Sequence, residues 1–206
     1  MSFPMLMPAE PAPFPVTRPS SPPPLRVHGP TSPERAAVET FVRDVYRTRY
    51  GADVRSFAPV LVSLHDHDGS RVAVAGYRPA ADGPLFLERY LGAPVERLLG
   101  GTARTGIVEV GHLAAVRAGA GRRLVMLLGP HLAAQGYDWV VGTLTAELRH
   151  LFLRLGIAPR ALNVADPTLL GAEAAHWGSY YDHEPLVLAG AIQPALRLLA
   201  RRGAAL

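Results

Sequence analysis

The 206-residue chain has no cysteine, which excludes disulfides, a thiolate nucleophile and Cys-ligated metal. It also has no lysine, because all 21 basic residues are arginine. With Ala, Gly and Pro abundant, that usage looks like GC-rich coding bias, so the pI of about 9.8 carries little functional meaning. The net charge of +4 is spread along the chain. No basic run is interleaved with aromatics, so no nucleic-acid partner is expected. No apolar run approaches the roughly 18 residues of a membrane-spanning helix. Prolines interrupt the N-terminus where a signal peptide needs a continuous apolar stretch. The expectation is a cytoplasmic protein with no transmembrane segment.

Charged residues make up 18% of the chain and hydrophobic ones 49%, the balance of a compact, apolar domain. Eleven of the 20 prolines lie at or before Pro33. Residues 1–32 therefore read as a disordered proline-rich tail, and 33–206 as one domain. Ser32 suits an N-cap and Pro33 the first helical position. Val38, Phe41, Val42, Val45 and Tyr46 then recur on one helical face as far as the natural stop at Gly51. Val60–Leu64 and Arg71–Tyr77 read as a hairpin around Asp68-Gly69. The His65-Asp66-His67-Asp68 run at its tip is read as solvated, and no metal is expected. Residues 85–91 and 95–99 are short helical or irregular pieces split by Gly92-Ala93-Pro94. A helix from Arg122 to Gln135 must kink or end at Gly129-Pro130. Strand 137–143, a helix after Thr145, strands 160–164 and 186–188, and a tail helix from Pro194 to Arg202 complete a mixed α/β order.

The most informative stretch is Ile107-Val108-Glu109-Val110-Gly111-His112-Leu113-Ala114-Ala115-Val116, followed by Arg117-Ala118-Gly119-Ala120-Gly121-Arg122-Arg123. Its first half is an apolar, β-branched strand holding one carboxylate. Its second half is a glycine and arginine loop ahead of a helix start, a device for holding an anion on unpartnered N–H groups. Glu109, the one acid in an apolar run beside that cradle, is where chemistry is expected. Strand alternation puts His112 on the opposite face, so both reach one substrate only if a bulge intervenes.

The chain resembles the GNAT acyltransferase superfamily and, more closely, its thermostable hemolysin family, relatives of the autoinducer synthases. The matching pieces are Tyr50-Gly51-Ala52-Asp53, Leu85 to Leu91, Ile107 to Ala114, Phe152 to Ile157, and Trp177-Gly178-Ser179-Tyr180-Tyr181. The resemblance implies a mostly antiparallel central sheet flanked by helices. It also implies a fourth strand (107–114) splaying from the fifth (137–143), with the pantetheine arm of an acyl thioester between them beside Val110 and Leu113. The diphosphate would lie on Gly119, Ala120, Gly121, Arg122 and Arg123. Val116 stands where the superfamily loop has Gln or Arg, which favours phosphopantetheine on a carrier protein over coenzyme A.

The implied activity is transfer of an acyl group, fatty acyl among the candidates, from acyl carrier protein or acyl-coenzyme A as co-substrate to a small-molecule amine. No tightly bound cofactor is implied. Glu109, His112 and Tyr181 are the catalytic candidates, with Tyr181 reprotonating the leaving thiolate. Phe86, Glu88, Arg89, Trp177 and Tyr180 are the candidates for holding the acceptor. Two other readings compete: a membrane-active protein, resting on the family's name and on Arg197, Arg201 and Arg202 of the tail helix, and a non-catalytic acyl-binding module.

Overall fold

The computed structural model describes residues 25–203. Its strands are β1 (Arg26–His28), β2 (Val60–His65), β3 (Arg71–Pro79), β4 (Ile107–Ala115), β5 (Trp139–Leu144), β6 (Arg160–Val164) and β7 (Leu186–Ala191). Its helices are α1 (Arg35–Tyr50), α2 (Val95–Leu98), α3 (Ala120–Ala134), α4 (Ala146–Arg154) and α5 (Ile192–Gly203), with short 3₁₀ segments between. The strands form one seven-stranded sheet in the order β1-β2-β3-β4-β5-β7-β6. Every neighbouring pair is antiparallel except β4–β5. The architecture is thus the mixed α/β, mostly antiparallel sheet expected.

Helices cover both faces of the sheet, as strands with apolar residues on both sides demand. On one face Leu124, Leu128 and Leu132 of α3 and Ile192 of α5 meet Val62, Leu64, Val108 and Val110. On the other, Val38, Val42, Tyr46 and Tyr50 of α1 meet Leu61, Val74, Ala114 and Tyr180. A third apolar cluster lies under residues 80–99, where Leu87, Tyr90 and Val95 pack on Ile107 and Val187.

Three details differ from the sequence expectation. The domain begins before residue 33, because β1 pairs with β2 and buries His28, whose ring lies 2.8 Å from the Ser63 hydroxyl. Residues 1–24 of the expected tail lie outside the described part. Helix α1 begins at Arg35 with Glu34, not Ser32, at its N-cap position. Its start is tied down instead by the Arg35 guanidinium, which donates to the carbonyls of His28, Ala58 and Pro59. Helix α3 runs on through Pro130 to Ala134. Close packing of α5, with Leu196 against Gly129, holds that helix together where proline removes a bond.

Candidate active site

Strands β4 and β5 pair only over Ile107–Glu109 and Trp139–Val141. Beyond that they separate, while β5 continues on β7 to Leu144. Gly142 marks the apex, since a Cβ there would lie 2.6 Å from the Val110 carbonyl oxygen. Strand β4 also bulges at this point. Against β3 its register runs Tyr77↔Val110, Gly76↔Gly111, then Val74↔Ala114, so Ala75 faces both His112 and Leu113. His112 takes a positive φ of 53°. The bulge cancels the alternation, and Glu109, Val110, Gly111, His112 and Leu113 all line one cleft.

Each Glu109 oxygen accepts a backbone N–H, from Leu87 and from Phe86, both at 2.9 Å. The carboxylate thus anchors the 3₁₀ turn Phe86–Tyr90 while bordering the cleft. Burial pushes its pKa up, and the two N–H groups and the Arg78 charge pull it partly back. His112 is placed differently. Its Nε2 lies 3.1 Å from the Ser56 carbonyl oxygen, so Nε2 carries the proton and the ring is neutral. Its Nδ1 is buried with no partner among the described residues, and Phe57 packs against the ring. Burial lowers the pKa to about 4. Such a ring is a poor proton acceptor at neutral pH; it sits in the bulge, tied to the Ser56 carbonyl.

Opposite β4, Trp177, Tyr180 and Tyr181 meet Tyr46, Tyr50 and Phe86 in a continuous aromatic wall. The Tyr181 hydroxyl lies 2.6 Å from that of Tyr90. Burial raises both phenols above their ordinary value, so near neutral pH the pair stays protonated. Tyr180 donates to the Thr143 carbonyl. Glu88 and Arg89 do not line this cleft. Glu88 accepts from the Leu85 and Val95 N–H groups and from Arg104, and so organises the 85–99 segment. Arg89 pairs with Glu173 at 2.7 Å. Glu88 is thus occupied structurally, while Arg89 also lies over the Phe86 ring of the cleft, 5.3 Å from its centre.

The glycine–arginine loop borders a separate cavity of about 500 Å³, with Gly119, Gly121 and Arg122 on its lining together with Arg49, Glu147 and Leu151. Gly119 starts α3 with φ +79°, a backbone that glycine adopts without strain. Arg122 makes no ion pair among the described residues, whereas Arg123 and Arg117 are drawn to Asp66 of the hairpin tip, at 3.6 and 2.7 Å. That pairing is the role of the tip acids; no metal-binding cluster occurs among the described residues. Ala120 is buried beneath the loop. A third cavity, about 110 Å³ and almost wholly apolar, lies on the other side of the splay between α3, α5 and β7, lined by Val110, Leu113, Val125, Gly142, Leu188 and Leu199 among others.

Leu113 borders all three spaces. Of the residues singled out in the sequence, Glu109, Val110, His112, Leu113, Phe86, Trp177, Tyr180 and Tyr181 line the cleft. Sequence reasoning missed Tyr46, Phe57, Arg78 and Thr143, which reach the cleft only through strand register and helix docking.

A family model described as thermostable hemolysin matches residues 28–196. The chain belongs to that family. No curated protein matches it significantly. Solved structures share this family member's fold. TofI, in a ternary complex with an inhibitor and MTA, aligns with TM-score 0.59 and 17% identity over 84% of this chain and 96% of its own. The acyl-homoserine lactone synthase LasI aligns with TM-score 0.56 and 13% identity over 84% and 93%. FeeM, an N-acyl amino acid synthase from uncultured soil microbes, aligns with TM-score 0.56 and 15% identity over 83% and 96%. At these identities the likeness is one of fold.

Proposed function

We propose that this protein is an N-acyltransferase that moves an acyl group, of fatty length, from a pantetheine thioester to an amine. The observation that carries the reading is the convergence of three differently lined spaces on the splay of β4 from β5. The cavity at Gly119, Gly121 and Arg122 suits the phosphate end of the donor. The apolar cavity suits the acyl chain. The aromatic cleft with Glu109 and Tyr181 suits the acceptor, and the thioester lies where they meet, at Val110–Leu113. The family's acyl-transferring fold neighbours, an acyl-homoserine lactone synthase and an N-acyl amino acid synthase, support the same chemistry.

In this reading the amine nitrogen attacks the thioester carbonyl carbon, the C–N bond forms and the C–S bond breaks. Glu109 takes the proton leaving nitrogen, and its raised pKa suits it to that exchange. Tyr181 gives a proton to the departing thiolate, and Glu109 returns one to the phenolate through solvent. Most of the acceleration comes from holding amine and thioester together. The donor is a carrier protein or coenzyme A, used as co-substrate. Arg122 is the residue to meet its phosphate, and Arg123, shared with Asp66, contributes less.

The membrane-active reading depends on the tail helix. In the fold that helix, α5, turns Ile192 and Leu196 into the core against α3. No described helix is long and apolar enough to cross a membrane. The decisive experiment offers the protein fatty acyl-coenzyme A or fatty acyl carrier protein with mixed amines. N-acyl products by mass spectrometry, with equimolar thiol release, support transfer. Absence of product together with absence of calorimetric binding of either donor overturns it.

A further inference from the structure

Arg78 sits on β3 directly opposite Glu109 on β4, so the two side chains share one face of the sheet. It is half-buried and lines the aromatic cleft. A buried or half-buried guanidinium is ordinarily paired with a carboxylate. Its cross-strand neighbour has the right charge and feels the Arg78 field, yet the Glu109 oxygens are turned to the Phe86 and Leu87 N–H groups and form no ion pair with Arg78. Other arginines around the cleft and its flanking segments are engaged: Arg104 with Glu88 and Glu96, Arg89 with Glu173, Arg117 with Asp66. Among the described residues Arg78 has neither a salt bridge nor a hydrogen bond. A cation held half out of water, in the acceptor cleft and without an anion, is an unfinished ion pair.

Resting on the transferase reading above, we propose that the acceptor is an amine carrying a carboxylate, an α-amino acid, and that Arg78 binds that carboxylate. The geometry of the pair argues for this class. Cross-strand Cβ atoms are about 4.5–5.5 Å apart, and an α-amino acid is a small zwitterion that carries both charged groups on one carbon. With its carboxylate on Arg78, its amine faces the Glu109 side of the cleft, which is where proton removal is required. Its side chain then lies toward Phe86, Trp177 and Tyr181, an apolar aromatic wall rather than a second charged site. The donor's phosphates do not compete for Arg78, because the Gly119–Arg122 loop borders a cavity that Arg78 does not line. Arg78 is thereby a specificity residue, and its guanidinium fork matches a carboxylate in two-point fashion.

Two measurements on the full-length protein test this. The first compares kcat/KM for phenylalanine, phenylalaninamide and phenethylamine with one fixed acyl thioester. The second, which needs no turnover, measures calorimetric binding of N-decanoylphenylalanine against N-decanoylphenylalaninamide. The parent is expected to favour the carboxylate roughly 10- to 100-fold in both, the range of a charge-assisted bond. Arg78→Gln is expected to bring the ratio close to one, and Arg78→Lys to keep part of it. If Arg78→Gln does not fold, a reduced ratio in Arg78→Lys supports the proposal and an unchanged one overturns it. Equal use of acid and amide by the parent, or a preference that survives in Arg78→Gln, also overturns it while leaving acyl transfer intact. Arg78-dependent binding of the acyl amino acid, with no donor bound and no amine acylated, upholds the carboxylate site and removes the transferase reading.

Discussion

At the scale of single residues, Glu109 has one duty in the fold and another in the proposed reaction, and mutation can separate them. Glu109→Gln replaces one acceptor oxygen with a donor that faces a backbone N–H, so stability is expected to fall by about 1–3 kcal/mol. As a base, Glu109 is worth roughly 10²–10⁴ in rate. The expected outcome is therefore a drop of that size in turnover and loss of the acidic limb of the pH–rate profile, read by steady-state kinetics. A merely structural Glu109 would lower the melting temperature and leave the shape of the profile unchanged. His112 makes a different statement, about stability. Its pKa is about 4 in the fold against 6.5 in the unfolded chain. Between those values the unfolded chain binds a proton that the folded protein does not, so stability rises with pH across that window and is lost on acidification. The contribution is at most about 3 kcal/mol. Asparagine tolerates the positive φ at this position without titrating. Urea titrations of His112→Asn between pH 7 and 4 are expected to show a shallower loss than the parent. His28 and His65, also lowered by burial, keep the slope from vanishing. At the donor loop, Arg122→Ala is expected to weaken thioester binding several-fold, more at low salt. Arg123→Ala is expected to weaken it less, since Asp66 already draws that charge; calorimetry with acyl-coenzyme A and acyl carrier protein compares the two.

At the scale of elements, the aromatic wall depends on how the Trp177–Tyr181 loop docks on the end of α1. The Ser179 N–H donates to the Tyr50 carbonyl at 2.8 Å, and the Asp53 N–H to the His176 carbonyl at 2.7 Å. Gly178 lies between these bonds with φ +52°, and a Cβ there would overlap the Tyr50 carbonyl oxygen. Gly178→Ala is therefore expected to cost about 3 kcal/mol or more through overlap and strain. It should also shift the Trp177 fluorescence spectrum as the loop lifts. An unchanged spectrum and stability would mean the loop docks differently. The 3₁₀ turn Phe86–Tyr90 is likewise held from outside, by Glu109 at its start and by Arg104 through Glu88 and Glu96. Short helices of this kind have little stability of their own, so this side of the cleft owes its shape to these carboxylates.

At the scale of the whole molecule, β1 closes one edge of the sheet and buries His28 against Ser63. A chain beginning at residue 33 lacks that strand and the carbonyl that Arg35 grips. It is expected to melt several degrees below a chain beginning at residue 25, since about 1 kcal/mol is worth roughly 2–4 °C at this size. Equal melting temperatures by calorimetry would show β1 to be dispensable.

Much of this protein was legible in its sequence because local physics wrote it there. Apolar period marked α1 and α3, Asp68-Gly69 marked the hairpin, and the lone acid in an apolar strand marked Glu109. The glycines before α3 marked the loop, and the order of pieces marked the family. What the sequence could not state depends on pairing between distant segments. The β4 bulge, which turns His112 and Glu109 into one cleft, arises from the register of β4 against β3. The commitment of Glu88 to Arg104, and the solitude of Arg78, follow from which side chains meet across the sheet. The short tail helix reads alone as a candidate membrane-binding element, and only its docking on α3 makes it part of the core. Period and turn chemistry act over a few residues and determined the elements; register and docking act over tens of residues, and they decided which of those side chains share the cleft.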